Sequence, residues 1–122
     1  MNFIKSNNNF VSLLLHSQQQ AHIFHLSTTS YSQHKALEEY YTKIGDLLDT
    51  YIEAFQGAYG LFKDYKTYPM INNVNKIVPY FENLLKQIKQ VIIPRQDTYL
   101  NNILDEIYKL IYQTLYKLKY LK

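Results

Sequence analysis

Leu37, Tyr41, Ile44, Leu48, Ile52 and Phe55 recur at three- and four-residue steps. That period commits the middle of the chain to an amphipathic helix buried along one side. Ser30-x-x-Gln33 reads as a capping box that opens it. Gln56-Gly57 reads as its end, because glycine suits the left-handed position after a helix. A first helix is predicted over residues 9–26, broken by Ser27-Thr28-Thr29-Ser30, and a turn-rich stretch over residues 57–75. A third, short helix is expected from Pro79 in its first turn to Val91. Beyond the break at Pro94, Asp97 or Thr98 caps a fourth, with a stripe of Leu100, Ile103, Leu104, Ile107, Leu110, Ile111, Leu115 and Leu118. There is no strand pattern and no internal repeat. The chain therefore reads as all-α, one four-helix bundle over residues 1–122.

Composition narrows the chemistry. With no cysteine, disulfides and thiolate metal sites are excluded. A bound metal must use His, Asp and Glu, which favours iron, manganese or zinc. A net charge of +3 is too small to argue for nucleic acid without a clustered patch. Lys109, Lys117, Lys119 and Lys122 complement the negative end of the last helix dipole, and direct binding of nucleic acid is not expected. The longest apolar run, at residues 10–15, is far short of the ~20 residues of a bilayer span. No membrane is expected, and a cytoplasmic location is. Tyr108, Tyr112, Tyr116 and Tyr120 repeat every four residues and read as a core edge or an oligomer contact.

All four histidines, His16, His22, His25 and His34, fall in the first 34 residues. His16 reads as a surface residue, and His25, three residues after His22, as an optional extra ligand. On the second helix, His34, Glu38, Asp49 and Glu53 lie within an arc of ~100° on one face. His34 and Asp49 are 15 positions apart, or ~22 Å along the axis, so one chain cannot bring both to one ion. The spacing is nevertheless symmetric. His34 and Glu53, and also Glu38 and Asp49, are equidistant from a midpoint between Lys43 and Ile44. Two copies packed antiparallel across a two-fold axis there would bring His34 to the partner's Glu53 and Glu38 to the partner's Asp49, making two identical sites. Gly45, beside that axis, would let the backbones approach. His22 could fold back into the same site.

The pattern His22-x11-His34-x3-Glu38-x10-Asp49-x3-Glu53, with Gln20-Ala21-His22 and His34-Lys35-Ala36-Leu37 around it, resembles the ferroxidase signature of Dps proteins, the miniferritins of starved cells. The resemblance covers about residues 18–57. Ile23 stands where Dps proteins usually carry Trp, and the second half is shorter. The words His25-Leu26-Ser27-Thr28 and Gln33-His34-Lys35-Ala36-Leu37 are also similar to small proteins of tailed phages. The Dps resemblance implies a ferritin-like bundle with a shortened second half. It implies an iron site in which His22, His34 and Glu38 come from one subunit and Asp49 and Glu53 from its neighbour, all five counted as catalytic and metal-binding. It further implies Fe(II) oxidation by peroxide or oxygen, sequestration of the product, and a homo-oligomer up to a dodecameric cage. The alternative expectation is a non-catalytic module, such as one in a virus particle, clamped by zinc or manganese at the same seam.

Overall fold

The computed structural model describes residues 2–122. Helix α1 spans Asn2–Ser27, α2 Tyr31–Tyr59, α3 Ile77–Ile88 and α4 Thr98–Tyr120, with a 3-10 turn at Val74–Lys76 before α3. Among the described residues there is no strand, and no helix is long and apolar enough to cross a membrane. The all-α expectation holds, and four helices stand where four were expected.

Three boundaries differ from the sequence reading. Helix α1 begins seven residues earlier than expected, through the run Asn7-Asn8-Asn9. Asn7 and Asn8, which precede the expected start of the helix, are buried. Asn7 donates to the Ile92 carbonyl (2.9 Å) and accepts the Tyr51 hydroxyl (2.5 Å). Helix α2 runs past Gly57 and stops at Gly60, whose φ of +100° is costly for any residue with a Cβ. Helix α3 ends at Ile88, three residues before Val91. The capping box is half realised. Ser30 accepts the Gln33 N–H (3.3 Å), but the Gln33 side chain turns to the Thr28 hydroxyl instead.

The buried stripe of α2 is Leu37, Tyr40, Ile44, Leu48, Tyr51 and Phe55. Tyr41 and Ile52 sit at its half-buried edge. Two tyrosines go fully inside because each hydroxyl finds a partner. Tyr40 donates to Ser17 Oγ (2.7 Å), which itself donates to the Leu14 carbonyl, and Tyr51 donates to Asn7. Burial raises the pKa of both phenols well above their ordinary value. At α4, Asp97 holds the cap position, but its carboxylate accepts from the Tyr59 hydroxyl rather than from the helix. That bond pushes the Tyr59 phenol up to about 12.

Around the core, α1 packs on α2 and α3, and α4 packs on α2 and α3. Side-chain pairs fix the directions. Tyr51–Asn7 and Tyr40–Ser17 make α2 antiparallel to α1, while Lys117–Glu39 and Tyr59–Asp97 make α4 antiparallel to α2. His16–Tyr80 and Asn7–Ile92 make α3 antiparallel to α1. Helices α2 and α3 therefore run the same way, and residues 60–73 must climb the length of the bundle to connect them.

That crossover lies along α1 on a ladder of polar side chains spaced one turn apart. Asn8 Nδ2 donates to the Asp64 carbonyl, and Ser12 Oγ accepts the Lys66 N–H (3.0 Å). His16 Nε2 donates to the Pro69 carbonyl (3.1 Å). Gln20 both donates to the Ile71 carbonyl (2.8 Å) and accepts its N–H (2.7 Å). The twelve positions from Asn8 to Gln20 rise ~18 Å, a length that the seven steps from Asp64 to Ile71 cover in near-extended form. His16 is therefore not the surface residue its sequence suggests. It is half-buried, and its Nδ1 accepts the Tyr80 hydroxyl (2.9 Å).

Candidate metal centre

The break at residues 28–30 is only three residues long, so α2 returns directly beside the last turns of α1. His25, near the end of α1, thus faces His34, in the first turns of α2. Their rings stack with centroids 3.7 Å apart and planes 18° from parallel. The hydrogen bonds are reciprocal. His25 Nδ1 lies 2.7 Å from the His34 carbonyl oxygen, and His34 Nδ1 lies 2.9 Å from the His25 carbonyl oxygen. A carbonyl can only accept, so both Nδ1 atoms carry hydrogen. In the uncharged rings each Nε2 is then left with a free lone pair. A backbone carbonyl on the second nitrogen is also the usual device that orients a metal-binding imidazole.

Glu38 stands one turn after His34, on the same face. One ligand atom from each of His25, His34 and Glu38 falls within 4.8 Å of the others. His25 is buried, and the other two are half-buried. An ion with bonds of ~2.0–2.2 Å needs its donors somewhat closer together than that upper bound. The flexible arm of Glu38 can supply the movement. Among the described residues its carboxylate is otherwise held only by Lys35, at 3.4 Å on the surface.

His34 and Glu38, both singled out by the sequence, are brought together, while His22 stands beside the group rather than in it. Its ring lies flat on Tyr41 at 4.4 Å and is 5.9 Å from the His25 ring. Asp49 and Glu53 are exposed on α2, eleven and fifteen residues beyond Glu38, or ~16 and ~22 Å along the axis. No single chain can carry them to the same ion. Gly45 is half-buried, and its missing side chain leaves room for α1. A Cβ there would meet the amide of Gln18 on α1 at 2.5 Å. His25, read in the sequence as an optional extra ligand, is the histidine that the hairpin sets against His34.

Beside Glu38, Glu39 takes two cations, Lys43 at 2.8 Å and Lys117 of α4. These two hydrogen bonds hold its carboxyl down at about 2. A depressed acid contributes stability above its ordinary value of 4.5 and loses it as pH falls through 2. Glu39 is more than a third exposed, so screening limits the contribution to about 1 kcal/mol. Glu39→Gln is expected to lower the melting temperature at pH 6 and to flatten its fall between pH 4.5 and 2. A variant with the wild-type acid profile would show that the double pairing contributes nothing.

What fold and site define is an all-helical protein with a two-histidine, one-carboxylate cluster at the tip of its first hairpin. The model of the family of unknown function DUF5856 matches residues 25–118, and the chain belongs to that family. The matched segment takes in His25, His34, Glu38, Asp49 and Glu53 and stops short of His22. No curated protein and no solved structure matches the chain.

Proposed function

We propose that this protein binds a divalent first-row metal, iron before manganese or zinc, at His25, His34 and Glu38, and that it oxidises Fe(II) there as Dps-like proteins do. The observation that carries the reading is the pair of fixed tautomers. Both Nδ1 atoms are spent on carbonyls, which leaves both Nε2 lone pairs free, and one ligand atom of each ring lies within 4.8 Å of a Glu38 oxygen. Two imidazoles and one carboxylate with open positions form the donor set of non-haem Fe(II) sites. The single long connection between two parallel helices is the one used by ferritin-like bundles, which supports that family of folds as the frame. Asp49 and Glu53 enter from a second copy across a two-fold axis and add oxygen donors that suit the ferric product. Two Fe(II) ions give up one electron each, and one hydrogen peroxide takes both and leaves as water after accepting two protons.

The test is Fe(II) oxidation by stoichiometric peroxide on metal-free protein. Oxidation faster than in buffer, without precipitate, is expected, with Glu53→Ala abolishing it while helical content stays intact. Particle size then separates a dimer from a cage. Unaccelerated oxidation would overturn the ferroxidase reading. The second reading, a zinc or manganese clamp without redox chemistry, is favoured by one feature: the His25–His34 bonds already tie the end of α1 to the start of α2. A metal there would raise the melting temperature without turning over.

A further inference from the structure

Next to the cluster, between α2 and the end of α4, lies an open pocket of about 560 Å³. Lys35, Lys43 and Lys117 converge on it with the hydroxyls of Ser32 and Thr42, and Ala36 and Leu121 supply apolar wall. Its volume is in the range of small-molecule sites. Two carboxylates currently occupy the cations. Glu39 bridges Lys43 and Lys117, and Glu38 pairs with Lys35. Three lysines less two glutamates leave a charge of +1.

Glu38 belongs to both sites. It lines this pocket and is also the carboxylate of the metal group. We infer that the pocket is a receptor for a doubly charged oxyanion, of the kind a small phosphate monoester carries, and that metal binding switches it on. The inference rests on the metal reading above for the switch, but not for the pocket. When the metal draws Glu38 away, Lys35 is released, and three lysines face one carboxylate, a charge of +2 matched to a dianion. The two ligands then help each other's binding by the same factor.

The experiment is calorimetric titration of the full chain with sulfate, which has the charge and shape of the phosphate group. Wild type, Glu38→Gln and Lys117→Ala are compared, metal-free and zinc-loaded, with metal uptake followed separately by the visible spectrum of Co(II). Glu38→Gln frees Lys35 without any metal. It is expected to bind sulfate about tenfold more tightly than metal-free wild type, the effect of one unit charge a few ångströms away near a protein surface. Zinc is expected to bring wild type to the same affinity, and Lys117→Ala to remove the gain. Equal affinity of metal-free wild type and Glu38→Gln overturns the pocket whatever the metal does. Metal that binds without tightening sulfate overturns the coupling. No metal uptake, with Glu38→Gln still tighter, overturns the metal reading and sustains the pocket. Phenyl phosphate in the Glu38→Gln titration tells an organic monoester, bound better than sulfate through Ala36 and Leu121, from the free ion, bound equally.

Discussion

His34→Ala is expected to abolish metal stabilisation of this protein, the largest functional effect of any single change. Wild type held at metal a hundredfold above its dissociation constant gains about 2.7 kcal/mol, because the ion binds the folded chain alone. For a domain of this size that is a rise of roughly 10 °C in melting temperature. Without His34 one of the three donors is gone. His22, the next imidazole, is stacked on Tyr41 with its ring 5.9 Å from that of His25. Affinity should fall by two orders of magnitude or more, and the shift should vanish. The metal-free variant is also expected to lose about 1 kcal/mol, since the His25 carbonyl gives up the Nδ1–H it accepts. His25→Ala should behave alike, and His22→Ala should keep the shift. A metal shift that survives in His25→Ala and disappears in His22→Ala would return the ligand set to the one suggested by the spacing His22-x11-His34.

What could be read in advance divides along a physical line. Four helices were legible because burial imposes a 3.6-residue period, and Leu37, Ile44, Leu48 and Phe55 print that period directly. His34 and Glu38 were legible for the same reason, one turn apart on one helix. Relations between elements were not. Whether His22 or His25 meets His34 depends on how a three-residue break sets the hairpin register, and the spacing of either histidine along its own helix is silent on that. At Gly45 the sequence is equally silent on the course of α1, which lays Gln18 against it. Tyr108, Tyr112, Tyr116 and Tyr120 read as a core edge or an oligomer contact. A four-residue step drifts around a helix, so Tyr108 packs on the core while the last three are exposed. Least legible were the polar residues of α1. Asn7, Asn8, Ser12, Ser17 and Gln20 are all buried, where a sequence reading puts apolar side chains. Asn7 and Ser17 are inside because they answer the buried hydroxyls of Tyr51 and Tyr40, and Asn8, Ser12 and Gln20 because the neighbouring segment is backbone without a helix or sheet of its own to satisfy it.

Gln20→Ala is expected to cost about 2–4 kcal/mol, comparable to removing a large core side chain. Gln20 is fully buried, and its amide is the bonded partner of both the Ile71 N–H and the Ile71 carbonyl. Truncation leaves two peptide groups without partners next to a side-chain-sized void, and each unsatisfied group costs about 1–3 kcal/mol. Gln20→Glu keeps the shape and still accepts from the Ile71 N–H, but cannot donate to its carbonyl while ionised. It should therefore fall between wild type and alanine near pH 4 and approach alanine at pH 8. The loss should be local before it is global. Lys63 and Lys66 are exposed within the crossover, so trypsin is expected to cut there sooner in Gln20→Ala than in wild type at a temperature where both remain helical. A variant within 0.5 kcal/mol of wild type, cut no faster, would mean that the crossover is held by Phe62 at its foot and by Val74 and Ile77 at its head, with the ladder adding nothing. The expected result has the opposite meaning. Two parallel helices in this bundle are joined by a connection that contributes little apolar surface, and what keeps it in place is a column of polar side chains on α1, one per turn, each answering a peptide group of residues 64–71.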